Sequence, residues 1–305
     1  MSLLSALRPH RLATAAVLLA LPLAAAGCKS YTSGLKGQGT TSSGEAAAAA
    51  TAATPFEQAL EIWKNERGSK DGVEKAIAAL EGVVAAEPNH QEAMILLARA
   101  NYFLADAYHD DPAQKGPLFE KGVTWGERAM AADPEFKARL DKGEKPQDAV
   151  VALQKDDQMA IYWTATNLGK WARIQGFSTI VKYKGYIAKM MTHCSTLDES
   201  AFYAAPVRYW GAFYAVAPSF AGGDMNKSKE NFEKAKSMAP EYFATYVLYA
   251  DTYAVKAQDR ALFKSLLDHV LATSSDVAPD VLPEQEAEKK KAQAMLAKID
   301  ELFAN

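Results

Sequence analysis

From Pro55 onward the apolar residues recur at intervals of three and four, and no strict alternation of apolar and polar positions runs for any length. Ala76, Ile77, Leu80, Val83 and Val84 follow this period, as do Met94, Ile95, Leu97, Ala98 and Leu104, and again Leu262, Phe263, Leu266, Leu267 and Val270. A period of 3.6 puts such residues on one face of a helix, so the pattern predicts an all-α fold. Prolines mark the ends: Pro88, Pro134 and Pro240 each follow a run of small residues, and another amphipathic stretch succeeds each of them. Phe232, Ala235 and Pro240 have the spacing of the second helix of a tetratricopeptide (TPR) hairpin, and Leu80, Val83 and Pro88 repeat it more weakly. The prolines are 46 and then 106 residues apart, so the expectation is TPR-like antiparallel helical hairpins forming one bundle or array with insertions. Asp224 after Gly222-Gly223 and Asp259 before Arg260 are expected N-caps of helices opening near residues 225 and 260.

The region before Pro55 follows different rules. Arg8 and Arg11 precede an apolar run of 16 residues, Leu12 to Gly27, too short for a comfortable membrane span of ~20 residues and suited to a signal-peptide core. Ala25-Ala26-Gly27 leads directly into Cys28, as in the lipobox of bacterial lipoproteins, where the thiol takes a diacylglycerol and becomes residue one. Ordinary cleavage at an Ala-x-Ala site, with Cys28 incidental, is the alternative. Residues 1–27 are therefore read as a lipoprotein signal peptide and Cys28 as the lipidation site. Lys29 in place of Asp after the cysteine points to the periplasmic face of the outer membrane, by resemblance to lipoprotein sorting signals. Residues 28–54 are rich in Gly, Ser, Thr and Ala with little to bury, and are expected to be a flexible low-complexity tether. Residues 55–305 form the helical domain.

Composition narrows the function classes. There are 34 Lys and Arg against 37 Asp and Glu, and loss of Arg8 and Arg11 with the signal leaves 32 against 37. No basic stripe occurs, which argues against a nucleic-acid partner. Two cysteines, Cys28 and Cys194, cannot make a disulfide framework or a four-cysteine zinc site. His90, His109, His193 and His269 are scattered with no i, i+4 pair, so neither a metal nor a cofactor is expected. His193 and Cys194 are adjacent on a helix and do not face one another, so Cys194 reads as a buried thiol rather than a nucleophile. No hydrolase, zincin or nucleotide motif occurs in the helical region, and the chain is not read as an enzyme.

A more specific resemblance comes from a series of short motifs. They are Tyr162-Trp163 with Gly169-Lys170-Trp171, then Pro206-x-Arg208-Tyr209-x-Gly211-x-x-Tyr214-Ala215-x-Ala217-Pro218, and then Gly222-Gly223-Asp224. Phe232-Glu233-Lys234-Ala235, Val247-Leu248-Tyr249-Ala250, Tyr253-Ala254-Val255 and Gln258-Asp259-Arg260-x-x-Phe263 follow. In this order and spacing they resemble the T component of TRAP transporters, over roughly residues 56–271 and most densely over 160–271. The resemblance implies a periplasm-facing lipoprotein of TPR-like hairpins that works beside a substrate-binding P component. It further implies a small hydrophobic ligand, bound or relayed, and assembly as a homotrimer. The competing reading is a TPR-type interaction scaffold of the cell envelope with no small-molecule ligand.

Aromatic residues supply the ligand candidates. Tyr242, Tyr246, Tyr249 and Tyr253 step by four, three and four, which at 100° per residue confines them to about a 40° arc of one helix face. They form either the wall of an amphipathic cavity or plain core between hairpins. A second cluster includes Phe202, Tyr203, Tyr209, Trp210, Phe213 and Tyr214, and Tyr162, Trp163 and Trp171 make a third, with Gly169 allowing close backbone approach. Arg208 sits inside the second cluster, placed to fork onto a ligand carboxylate, to stack on Trp210, or to join a structural ion pair.

Overall fold

The computed structural model describes residues 29–35 and 53–303. Cys28, the expected signal peptide at 1–27 and residues 36–52 of the expected tether lie outside the described residues. Fourteen α-helices and no strand occur among the described residues. The first eight are α1 (Pro55–Glu66), α2 (Lys70–Ala86), α3 (Gln91–Tyr108), α4 (Pro112–Ala131), α5 (Pro134–Asp141), α6 (Pro146–Ala149), α7 (Gln158–Gln175) and α8 (Phe177–Leu197). They continue with α9 (Ala201–Val216), α10 (Met225–Met238), α11 (Phe243–Tyr249), α12 (Arg260–Ala272), α13 (Leu282–Leu296) and α14 (Ile299–Leu302). Helices adjacent in sequence pack as pairs, α1 with α2, α3 with α4, α7 with α8 and α9 with α10. The all-α expectation holds.

Local chemistry accounts for the boundaries. Thr54 and Glu57 form a reciprocal capping box around Pro55 at the first position of α1. Asp224 accepts from the backbone N–H groups of Asn226 and Lys227 at the head of α10, and Asp259 accepts from Leu262 at the head of α12, where the sequence places them. Pro134 behaves differently from Pro88 and Pro240. Rather than only closing α4, it opens α5, with Asp133 capping the N–H of Phe136, because proline has no N–H to lose at a first helical position.

Two cores result. The larger fills the space among α1, α2, α3, α4, α7 and α8 with Leu80, Leu97, Phe119, Ile161 and Trp171 among its buried members. The smaller joins α10 to α14 through Phe232, Tyr249, Phe263 and Leu267. Phe303 packs edge-on against Phe263 with ring centroids 5.0 Å apart, and Met295, Leu296, Ile299 and Leu302 of α13 and α14 pack against the same core. Close crossings depend on small residues. A Cβ on Gly126 would lie 2.1 Å from Thr164 Oγ1, and one on Gly122 2.3 Å from Asn167 Oδ1, so α4 and α7 meet only because these positions are glycine. Gly169, expected to serve such an approach, faces open space instead.

The tether expectation needs correction at its start. Lys29–Leu35 lies along α4 and α8 as a packed strap. Tyr31 makes ring contacts with Trp171 and Tyr183, at 5.7 and 5.2 Å, and Gly34 lies so close to α4 that a Cβ would fall 2.1 Å from Thr124 O. The physical reason is a specific acceptor. The Glu127 carboxylate, fully buried, receives Tyr31 Oη (2.5 Å), Ser33 Oγ (2.7 Å) and the Gly34 N–H (2.9 Å).

Candidate functional site

The bend that introduces α9 organises the aromatic candidates. Phe202, Tyr203 and Ala204 have φ of 44°, 58° and 55°, three consecutive non-glycine residues in the left-handed region. That conformation costs about 1–2 kcal/mol per residue, so surrounding contacts must hold it. Arg208 does so from one turn ahead: its Nη1 donates to the Tyr203 carbonyl at 2.6 Å and to Thr245 Oγ1 at 3.4 Å, and its guanidinium lies 4.6 Å from the Tyr242 ring centroid. Buried in this way, Arg208 braces a turn and stacks on Tyr242, not on Trp210. Tyr203 stacks on Tyr242 nearly parallel, 4.6 Å apart, and donates its hydroxyl to Asp280 at 2.5 Å.

Around this turn the two parts of the chain meet. Phe202 reaches Trp163 (5.2 Å), Tyr162 (6.2 Å) and Tyr242 (5.7 Å). Arg99 from α3 sits 4.8 Å over the Phe202 ring and 5.4 Å over Trp63. Arg99 Nη2 and Arg67 Nε bind opposite oxygens of Glu284 on α13, at 2.7 and 3.3 Å. Arg99 keeps a fifth of its side chain exposed, whereas Arg67 is buried. Arg67, Arg99 and Glu284 escaped sequence reasoning. The available signal was Arg99 itself, a cation inside the apolar stretch Met94 to Leu104.

The predicted site residues divide among three places. Tyr162, Trp163, Arg208 and Tyr242 belong to the junction just described. Tyr246, Tyr249 and Tyr253 belong to the C-terminal core. There Tyr246 stacks on His269 (4.4 Å) and donates to Pro240 O (2.9 Å), and Tyr249 stacks on Phe232 (4.6 Å) with no exposed surface. Trp210 and Tyr214 lie on a half-buried face of α9 with Tyr209 and Phe213, their rings 5.4 to 6.4 Å apart, and Trp210 Nε1 donates to Ser195 Oγ at 3.1 Å. Burial alone holds the Tyr209 phenol well above its ordinary pKa.

The four-tyrosine arc therefore does not persist. Tyr242 is the extended residue before α11, with ψ 104°, and Ala250–Ala254 is a π-turn carrying Tyr253. A constant 100° step fails at both ends of the stripe. Burial pushes the Cys194 thiol up to about 12, leaving almost no thiolate at neutral pH. Among the described residues no group of three His, Cys, Asp or Glu side chains could hold a metal ion. An open cleft of about 290 Å³ lies where the strap begins, lined by Lys29, Pro112, Gly116, Pro117, Trp171 and Ile174.

Residues 69–303 match the family model of the TRAP transporter T-component. The chain belongs to that family. No curated protein matches it. The matched span runs beyond the motif-rich region to include α13 and α14, so Glu284, which ties the C-terminal part to Arg67 and Arg99, falls within it. The TRAP T-component family has an accessory role in transport and is not a family of enzymes. No helix among the described residues is long and apolar enough to cross a membrane.

Proposed function

We propose that this chain is a lipid-anchored T component, held by Cys28 at the periplasmic face of the outer membrane, that binds or relays a small hydrophobic ligand with a substrate-binding P component. The helix pairs are read as TPR-like hairpins, and the working form as a homotrimer. Family membership supports the transport setting, and the carrying observation for a ligand is the α9 face. Tyr209, Trp210, Phe213 and Tyr214 remain half-buried on one helix while packing on each other, with Ser195 Oγ and the Lys227 ammonium as polar neighbours. Apolar walls with a few convergent hydrogen-bonding groups are what small-molecule sites require.

The test pairs two tyrosines. Tyr249→Ala removes a fully packed ring and should cost about 3–5 kcal/mol in urea unfolding, with little effect on retention of an apolar fluorescent probe. Tyr214→Ala should cost noticeably less than that and should release the probe. Mass spectrometry of small molecules retained by the purified protein completes the test. A Tyr214→Ala protein that binds the probe normally, from a preparation carrying no small molecule, would favour the scaffold reading.

A further inference from the structure

The strap begins at a surface whose composition differs from the rest of the molecule. From Gln158 to Leu197, through all of α7 and α8, the chain contains no Asp or Glu, while Lys170, Arg173, Lys182, Lys184 and Lys189 supply five cations. At the corner between the two helices Gly176 has φ 102°, and α8 then starts with Phe177, 63 % exposed, followed one turn later by Val181, 56 % exposed. An i, i+4 pair lies on one helix face, so the two apolar side chains form a single projection. Arg173, Lys182 and Lys184 are exposed around it.

The same corner holds the beginning of the strap. Lys182 Nζ donates to Lys29 O at 3.3 Å and to Ser30 Oγ at 2.6 Å. Lys29 directly follows the proposed lipid attachment site in the sequence. The bonds of Tyr31, Ser33 and Gly34 to Glu127, together with the Thr32 N–H to Glu120 Oε1 at 2.9 Å, keep the strap in this course. The acids near the strap, Glu120 and Glu127, are thus occupied by its own donors. Lys29, the first described residue after the proposed attachment site, is thus held by Lys182, a cation of α8 close in sequence to Phe177 and Val181.

We infer that the α7–α8 corner is a membrane-contact surface: Phe177 and Val181 enter the headgroup region of the lipid bilayer, Arg173, Lys182 and Lys184 meet its anionic headgroups, and the strap sets this orientation. This rests on the reading of Cys28 as the lipid attachment site. A basic rim around inserted apolar side chains is how peripheral proteins combine burial with electrostatic attraction.

An environment-sensitive fluorophore at Phe177→Cys, compared with one at Val151→Cys, tests it. Val151 is an exposed apolar control near the other end of α8, where His193 Nε2 bonds Leu153 O, about 24 Å along the helix from Phe177. The buried Cys194 does not compete for label. The lipidated protein is reconstituted in phosphatidylethanolamine and phosphatidylglycerol vesicles containing brominated lipid. In a second arm the mature chain with Cys28→Ala is held on chelator-lipid vesicles by a histidine tag at its N-terminus. The expected result in both arms is several-fold stronger quenching at position 177 than at 151. Gly34→Val, which cannot seat against Thr124, should erase that difference while leaving the helical circular dichroism intact. Equal quenching at the two positions in both arms overturns the surface, and a difference that survives Gly34→Val overturns the role of the strap. The mass of the N-terminal peptide reports the anchor separately: an unacylated Cys28 with deep quenching on chelator vesicles refutes the anchor and supports the surface.

Discussion

Asp106 on α3 and Glu127 on α4 are carboxylates withdrawn from water on adjacent helices, satisfied by opposite means. Asp106 is met by cations, with Lys170 Nζ 2.9 Å from one oxygen and Lys291 on the other, and Lys291 also binds Glu288 at 2.7 Å. Glu127 is met by neutral donors, three from the strap and the more distant Tyr186 hydroxyl at 3.4 Å. Burial acts on both to raise the pKa. At Asp106 the two ammonium groups outweigh burial and hold the carboxyl well below the usual range. At Glu127 burial wins over the hydrogen bonds from Ser33, Tyr31, Gly34 and Tyr186, and the pKa is raised. Hydrogen-bond dipoles replace less of the lost hydration than full charges do, so the two sites have opposite pH dependence.

Breaking the charge-compensated site should have the largest effect. Asp106→Asn leaves Lys170 and Lys291 facing each other, and should cost about 2 kcal/mol in urea unfolding, below the ~3–5 of a fully buried pair because both lysines keep contact with water. Asp106 has a depressed folded pKa, so its contribution is present above the ordinary carboxylate range and lost as pH falls toward the depressed value. The acid limb of the stability profile should therefore shrink in this variant.

Glu127→Gln sharpens the contrast. The amide oxygen still accepts from the strap, so the change should amount to about 1 kcal/mol or less. Glu127 has a raised folded pKa: its contribution is full below the unfolded carboxylate value and lost as pH rises through the folded one. The melting temperature of Glu127→Gln minus that of the parent should therefore increase from acid to neutral pH. A difference that decreases over that range would refute the assignment.

Tyr31→Phe should have the smallest global effect. It removes one hydrogen bond to Glu127, about 1 kcal/mol of local docking, while the bundle keeps its melting temperature. Hydrogen exchange should show the Gly34 N–H less protected, since that amide also bonds Glu127.

Sequence reasoning succeeded where the determining contacts were local. Asp224 and Asp259 cap helices through bonds to residues two or three positions away, and the apolar periodicity places Leu80, Leu97 and Leu267 in the core. The candidate site was legible as residue types but not as an arrangement. Trp163, Arg208 and Tyr242 meet through Phe202, whose left-handed backbone no propensity favours, and the tyrosine register is broken by a π-turn.

Periodicity and capping residues by themselves determined that the chain is helical and where many of its helices begin, and the order of motifs carried a resemblance to the TRAP T-components. Only the tertiary structure decided that residue 31 of a glycine- and serine-rich segment is docked, because its partner Glu127 is 96 positions away. The same holds for Arg99 and Glu284, 185 positions apart. Helix caps and faces are set by neighbours within a few residues, whereas a buried carboxylate chooses its donors only after the helices that bury it have packed.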